Sequence, residues 1–224
     1  KLANSTSWWS FSEKLERKLC QENNLLLYIS NNDRINYKKL NFCDGHIVPF
    51  DLDINKIEKK PYRKIGFIGS NNIFNYSSSL ELIDLAKKNK KLKFIISGSV
   101  VEKISDIDLP KNVELFYKKD FSNKFLEEYY SKVSISFLPA QNNSGIKTKI
   151  IESLSYCVPV ITNKNGYDDT FNIFLNKYVF VTDNNFNLNK ITEKKFDDKE
   201  LVNLYNKYKR NNNKSFEKII SFFN

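Results

Sequence analysis

Methionine is absent from the 224 residues, and histidine occurs once. The single histidine, His46, confines any Ser–His or Cys–His catalytic pair to one place, and no nucleophile motif surrounds it. Cysteine is equally sparse. Cys20, Cys43 and Cys157 lie far apart with no paired ligand spacing, which points to reduced thiols of a cytoplasmic protein rather than a disulfide framework. Cys43 and His46 stand three apart, but two ligands do not make a zinc site. No apolar run approaches membrane-spanning length, and nothing repeats at solenoid periods. With no methionine and a start at Lys1, the chain is expected to be a piece of a longer one.

A hydrophobic content of 41%, rich in Phe and Tyr, excludes a disordered chain and supplies an ample core. The net charge of +10 invites a nucleic-acid or membrane partner. However, lysine and asparagine are spread evenly, together with Ile, Phe and Tyr. That pattern matches an AT-biased coding sequence and needs no partner. No nucleic acid is therefore expected, while a weak peripheral attraction to an anionic membrane surface, at its inner face, stays compatible.

The organising stretch runs from Asn143 to Ile161. An apolar run, Val133 to Leu138, stops at Pro139 and reads as a buried strand. A polar loop with Asn143, Ser144 and Gly145 follows. Ile150, Ile151, Leu154 and Val158 then recur at helical spacing, and Pro159-Val-Ile161 opens the next strand. Strand, turn, helix, strand is the parallel crossover unit. The helix start presents unsatisfied N–H groups and a partial positive charge suited to a diphosphate. Gly145 allows close backbone approach, Lys147 and Lys149 add cations, and Ser144 and Thr148 add hydroxyls. Glu152 suits two vicinal ribose hydroxyls, as an acid does in the dinucleotide folds. The plainer alternative for Lys147, Lys149 and Glu152 is a solvated helix face with one i, i+3 ion pair.

The run Gly145-Ile-Lys-Thr-Lys-Ile-Ile-Glu152 resembles the donor-site signature of the GT-B glycosyltransferases, the large retaining class that uses nucleotide sugars. It is most similar to the branch with a G-I-K-x-K-x-x-E core. In that class two acids often stand eight positions apart, the first near the sugar and the second on the ribose. Glu152 matches the second, whereas Ser144 stands at the first. Ser155-Tyr-Cys-Val-Pro-Val160 matches the ending, with Cys157 where glycine is usual.

The resemblance orders the rest of the chain. Residues 11–22 read as an amphipathic helix capped by Ser10 or Ser12, Leu25 to Ser30 as a strand, and Asn31 towards Leu40 as a helix. Ile47 to Pro49 is extended. By the resemblance, residues 1–55 are the remnant of an acceptor domain plus its hinge, at which Asp53 sits. Residues 56–224 are then the nucleotide-sugar-binding domain. Strands are expected at 64–68, 92–96, 112–117, 133–138, 160–162 and 178–182, with helices at 79–88 and 122–131. Two helical stretches in the tail, with Leu201, Leu204 and Tyr205 on one and Phe216, Ile219, Ile220 and Phe223 on the other, are expected to pack on the core and are broken at Asn211 to Asn213. The fold class is α/β, a doubly wound parallel sheet of five or six strands, Rossmann-like, the donor half of a GT-B fold. Gly69, Ser70 and Asn75 face the donor phosphates by the resemblance, and Ile146 belongs to the donor loop. Glu114, Leu115 and Phe116 stand where relatives hold the base, with a plain sheet strand as the equal alternative.

The function implied is a retaining, metal-independent transfer of a sugar from a nucleotide-diphosphate donor to a sugar, lipid-linked or protein acceptor. Lys149 and Lys147 would stabilise the leaving diphosphate. Asp51-Leu-Asp53 and Asp106-Ile-Asp108 match the D-x-D metal motif of another glycosyltransferase fold, but neither follows a suitable strand, so no metal or cofactor is expected. A same-fold nucleotide-sugar 2-epimerase, and a non-enzymatic basic domain that binds nucleotides or nucleic acid, are the alternatives.

Overall fold

The protein's structure is a computed structural model describing residues 18, 25–39, 44–55, 57–59, 64–118, 122–182 and 187–222. The expected helix at 11–22, apart from helical Lys18, lies outside the described residues, as do Cys20, Cys43 and Phe223.

A two-stranded parallel sheet comes first: β1 (Leu27–Tyr28) pairs with β2 (His46–Ile47) across helix α1 (Asn31–Lys39). The main sheet uses β3 (Lys64–Ile68), β4 (Phe94–Ser97), β5 (Val113–Phe116), β6 (Val133–Phe137), β7 (Val160–Thr162) and β8 (Val179–Val181). Its order is β5-β4-β3-β6-β7-β8, and every neighbouring pair is parallel. The crossovers run through α2 (Ile73–Lys88), α3 (Val101–Ile104), α4 (Asn123–Lys132) and α5 (Thr148–Ser155), and beyond β7 through a 3₁₀ helix (Asp169–Phe174). Helices α6 (Leu188–Thr192) and α7 (Asp198–Ile220) close the chain.

The strands read as continuous apolar runs because both sheet faces are covered. Their period of two divides the core. Ile65, Phe67, Phe94 and Ile96 point to the larger side with α2, α3, α5 and α7. Ile68 and Ile95 point to a smaller side, where α4 lays down Phe125, Tyr129 and Tyr130 beside Tyr156. The strand order reverses between β3 and β6, and ligands of open α/β sheets bind at such a point, beyond the strands' carboxyl ends.

Two boundaries differ by more than two residues from the sequence expectation. Helix α2 begins at Ile73 rather than Ser79, because Asn72 caps it: its side chain accepts the Asn75 N–H at 2.9 Å. Ser78 and Ser79 therefore lie inside the helix, where the Ser78 hydroxyl donates to Phe74 O and Pro139 O, and that of Ser79 to Tyr76 O. Helix α7 runs unbroken through Asn211–Asn213. Tertiary bonds override the weak helix propensity of asparagine there: Asn212 donates to Phe50 O at 3.2 Å and to Asp51 Oδ2 at 3.1 Å. The same helix straps residues 50–53. Tyr208 donates to Phe50 O at 2.8 Å, Tyr205 accepts from the Leu52 N–H, and Lys209 pairs with Asp53 at 2.7 Å. Phe216 and Ile220, expected in the core, are 51% and 44% exposed because they lie on the outer side of this strap.

Candidate functional site

A cavity of about 270 Å³ opens at the switch point, lined from the β3–α2 side by Phe74, Asn75 and Ser78 and from the β6–α5 side by residues including Gln141, Ser144 and Lys149. Each wall is built from the loop at a strand's carboxyl end and the start of the helix that follows it.

The first wall depends on Gly69. A Cβ there would stand 2.9 Å from Asn75 Cβ and Cγ and from a ring carbon of Phe67, so only glycine lets Asn75 fold over the strand end. The Asn75 amide nitrogen donates to Ser70 O and Ser70 Oγ, both at 3.0 Å. Its oxygen thereby faces the other wall, where it accepts a 2.5 Å bond from Lys149 Nζ.

In the second wall, Gly145 takes the left-handed backbone at φ 77°. Helix α5 then starts at Thr148 with no side-chain cap, so its first N–H groups remain available to an anion. Lys147 curls back on its own loop, donating to Ser144 O at 2.7 Å and Asn142 O at 3.1 Å. Burial lowers its amine pKa, and the charges of Asp33 and Asp168 partly offset that. Lys149 lies over the Phe67 ring at 5.1 Å, and burial lowers its amine from 10.5 to about 8 against the opposing pull of Glu152.

Glu152 is half-buried one turn further on. Its Oε1 accepts a 2.7 Å bond from the Tyr130 hydroxyl. Burial raises its pKa, while that bond and the Lys149 charge lower it. Lys149 and Glu152 thus each have a different partner, Asn75 and Tyr130, which is not the solvated ion pair of the plainer alternative.

The structure brings Asn75, Ser144, Ile146, Lys147, Thr148 and Lys149 to one cavity, with Gly69 and Ser70 behind Asn75 and Gly145 behind the opposite loop. Glu114, Leu115 and Phe116 lie apart on edge strand β5 and do not line it. Glu114 pairs with Lys64, Leu115 packs on the larger core, and Phe116 stacks on Phe125 at 5.3 Å. The D-x-D acids are placed elsewhere, Asp51 and Asp53 beside Lys209 of α7 and Asp106 in the loop after α3.

Three side chains at the site escaped sequence reasoning. Asp33 Oδ2 accepts the Gly145 N–H at 3.0 Å and the Ser30 hydroxyl at 2.6 Å. The Ser30-x-x-Asp33 spacing signals a helix start, but nothing in the sequence signals its reach to a loop 112 residues away. Beside it, Asp168 accepts the Asn32 N–H at 3.0 Å. The other missed residue, Tyr130, reads in sequence only as part of a helix.

No family model and no curated protein matches the chain. Solved structures do. TarM superimposes with a TM-score of 0.66 at 18% identity, over 99% of this chain and 48% of that one. A point mutant of S. aureus TarM, in complex with fondaparinux, alpha-GlcNAc-glycerol and UDP, gives 0.62 at 19% identity over 95% and 46%. The lipopolysaccharide outer core galactosyltransferase WaaB gives 0.61 at 13% identity over 87% and 62%. The chain spans about half the length of the TarM structures it matches. At these identities the likeness is one of fold: a Rossmann-like α/β domain with a six-stranded parallel sheet, matching half of a GT-B glycosyltransferase.

Proposed function

We propose that the chain is the donor-binding half of a retaining glycosyltransferase that takes a sugar from a nucleotide diphosphate without a metal. The observation that carries this reading is Lys149. A half-buried amine is costly to keep away from water unless it meets an anion, and this one stands between two loops at the switch point, beside an uncapped helix start. Lys149, the N–H groups of α5 and the Ser144 and Thr148 hydroxyls would hold the diphosphate and stabilise the charge it gains as the sugar leaves. Glu152 would accept the ribose hydroxyls, and the carboxyl end of β5, with Phe116, would flank the base. The fold, shared with a structure that contains UDP and with a galactosyltransferase, supports the same reading.

In this reading, residues up to 55 edge the acceptor domain, and a sugar, lipid-linked or protein acceptor approaches from that side. Transfer needs donor and acceptor held together, since orientation supplies much of the rate.

The test is calorimetry with UDP, GDP and inorganic pyrophosphate. Glu152→Ala is expected to weaken the nucleotide by roughly tenfold, the value of a charge-assisted contact, and to leave pyrophosphate unchanged. Excess EDTA is expected to change neither. Equal losses for nucleotide and pyrophosphate would remove the ribose role, and loss of binding in EDTA would establish a metal.

A further inference from the structure

We propose that Tyr130 is the positioning residue for Glu152: its phenol holds one carboxylate oxygen and so aims the other at the ribose. This rests on the reading of Glu152 given above. The bond from the Tyr130 hydroxyl engages Oε1 at 2.7 Å, and among the described residues none donates to Oε2. A glutamate has three rotatable bonds, and an acceptor that must meet sugar hydroxyls gains from having them fixed before the ligand arrives.

The phenol is well placed to fix them, because Tyr130 is itself closely packed. It is fully buried, its ring stacks on Tyr156 at 4.4 Å and 14°, and it meets Tyr129 edge-on at 4.9 Å. Helix α4 carrying it runs directly into β6, whose far end leads to the donor loop. Burial holds the Tyr130 phenol well above its ordinary pKa, so it stays a neutral donor wherever Glu152 is ionised. The ionisable groups facing Glu152 are Lys149 on its own helix, Tyr129 and Tyr130 on α4, and Tyr156 after α5. Among the described residues, Tyr130 alone donates a hydrogen bond to the carboxylate. A purely structural hydroxyl would be expected to satisfy itself on backbone; this one is spent on the acid.

The test is Tyr130→Phe, which keeps the ring and its stacking. UDP affinity is expected to fall about three- to tenfold, the loss of one bond to a charged group, with pyrophosphate affinity unchanged. Removing the donor also removes a force that lowers the Glu152 pKa, so the acid-side loss of UDP binding moves to higher pH. The carboxyl carbon of Glu152, assigned by its loss in Glu152→Gln and titrated by NMR without ligand, is expected to show the same upward move. An unmoved titration with unchanged UDP affinity in Tyr130→Phe, while Glu152→Ala still weakens UDP, overturns the positioning role and leaves the ribose reading standing. If Glu152→Ala leaves UDP affinity unchanged, or UDP does not bind, the ribose reading falls and the positioning role falls with it.

Discussion

Raising the pH should release the diphosphate through Lys149. Burial lowers its amine to about 8, from an ordinary value of 10.5. About two and a half further units of pH would be needed to discharge an exposed lysine. If only the ammonium binds, about nine in ten molecules are in the wrong form at pH 9, and apparent affinity falls about tenfold from its value below pH 7. A bound diphosphate favours the charged amine, so binding between pH 8 and 9 takes up a proton. Calorimetry of UDP in two buffers of different ionisation enthalpy measures that uptake directly. In Lys149→Ala the uptake should vanish together with most of the affinity. The same shift acts on stability in a fixed direction. The unfolded chain holds this proton up to its higher pKa, so between about pH 8 and 10.5 it binds more protons than the folded chain, and the lysine's contribution to stability rises with pH across that window. An affinity that stays flat from pH 7 to 9, or an uptake that persists in Lys149→Ala, would refute the reasoning.

Other substitutions probe what holds the site in place. Gly69→Ala puts a Cβ 2.9 Å from Asn75 and Phe67, so urea denaturation should show a loss of about 1–3 kcal/mol from overpacking. The same variant should weaken UDP binding by displacing Asn75 from Lys149. Asn212→Ala sets two effects against each other: better helix propensity, worth about 0.5 kcal/mol, against lost bonds to Phe50 O and Asp51 at about 1 kcal/mol each. The bonds should win, and a variant more stable than the parent would show that they contribute nothing.

What the sequence made legible follows from what is local. The apolar runs that became β3, β4 and β6, and the Ile150, Ile151 and Leu154 stripe, carry their own periodicity and are buried as expected. Gly145 and Lys149 were legible because the loop and helix start they belong to are contiguous. Asn72 as a cap was hidden by the serines after it, which look like an equally good helix start. The continuity of α7 was hidden because the partners that keep Asn212 in a helix are some 160 residues away. Asp33 at the Gly145 amide and Tyr130 on Glu152 were hidden for the same reason, since no local pattern records a side chain's reach across the fold. Glu114 was read both as a base contact and as a plain strand residue, and neither reading signals its partner Lys64 on another strand.

The most direct measurement is the binding of UDP and GDP to the wild-type chain and to Lys149→Ala at pH 7. A nucleotide-diphosphate site built on Lys149 requires that at least one nucleotide binds the wild type. The substitution should weaken that nucleotide and pyrophosphate alike, by roughly tenfold or more, because the partner of the amine is the phosphate. Wild-type binding of neither nucleotide, or affinities that Lys149→Ala leaves unchanged, would contradict it.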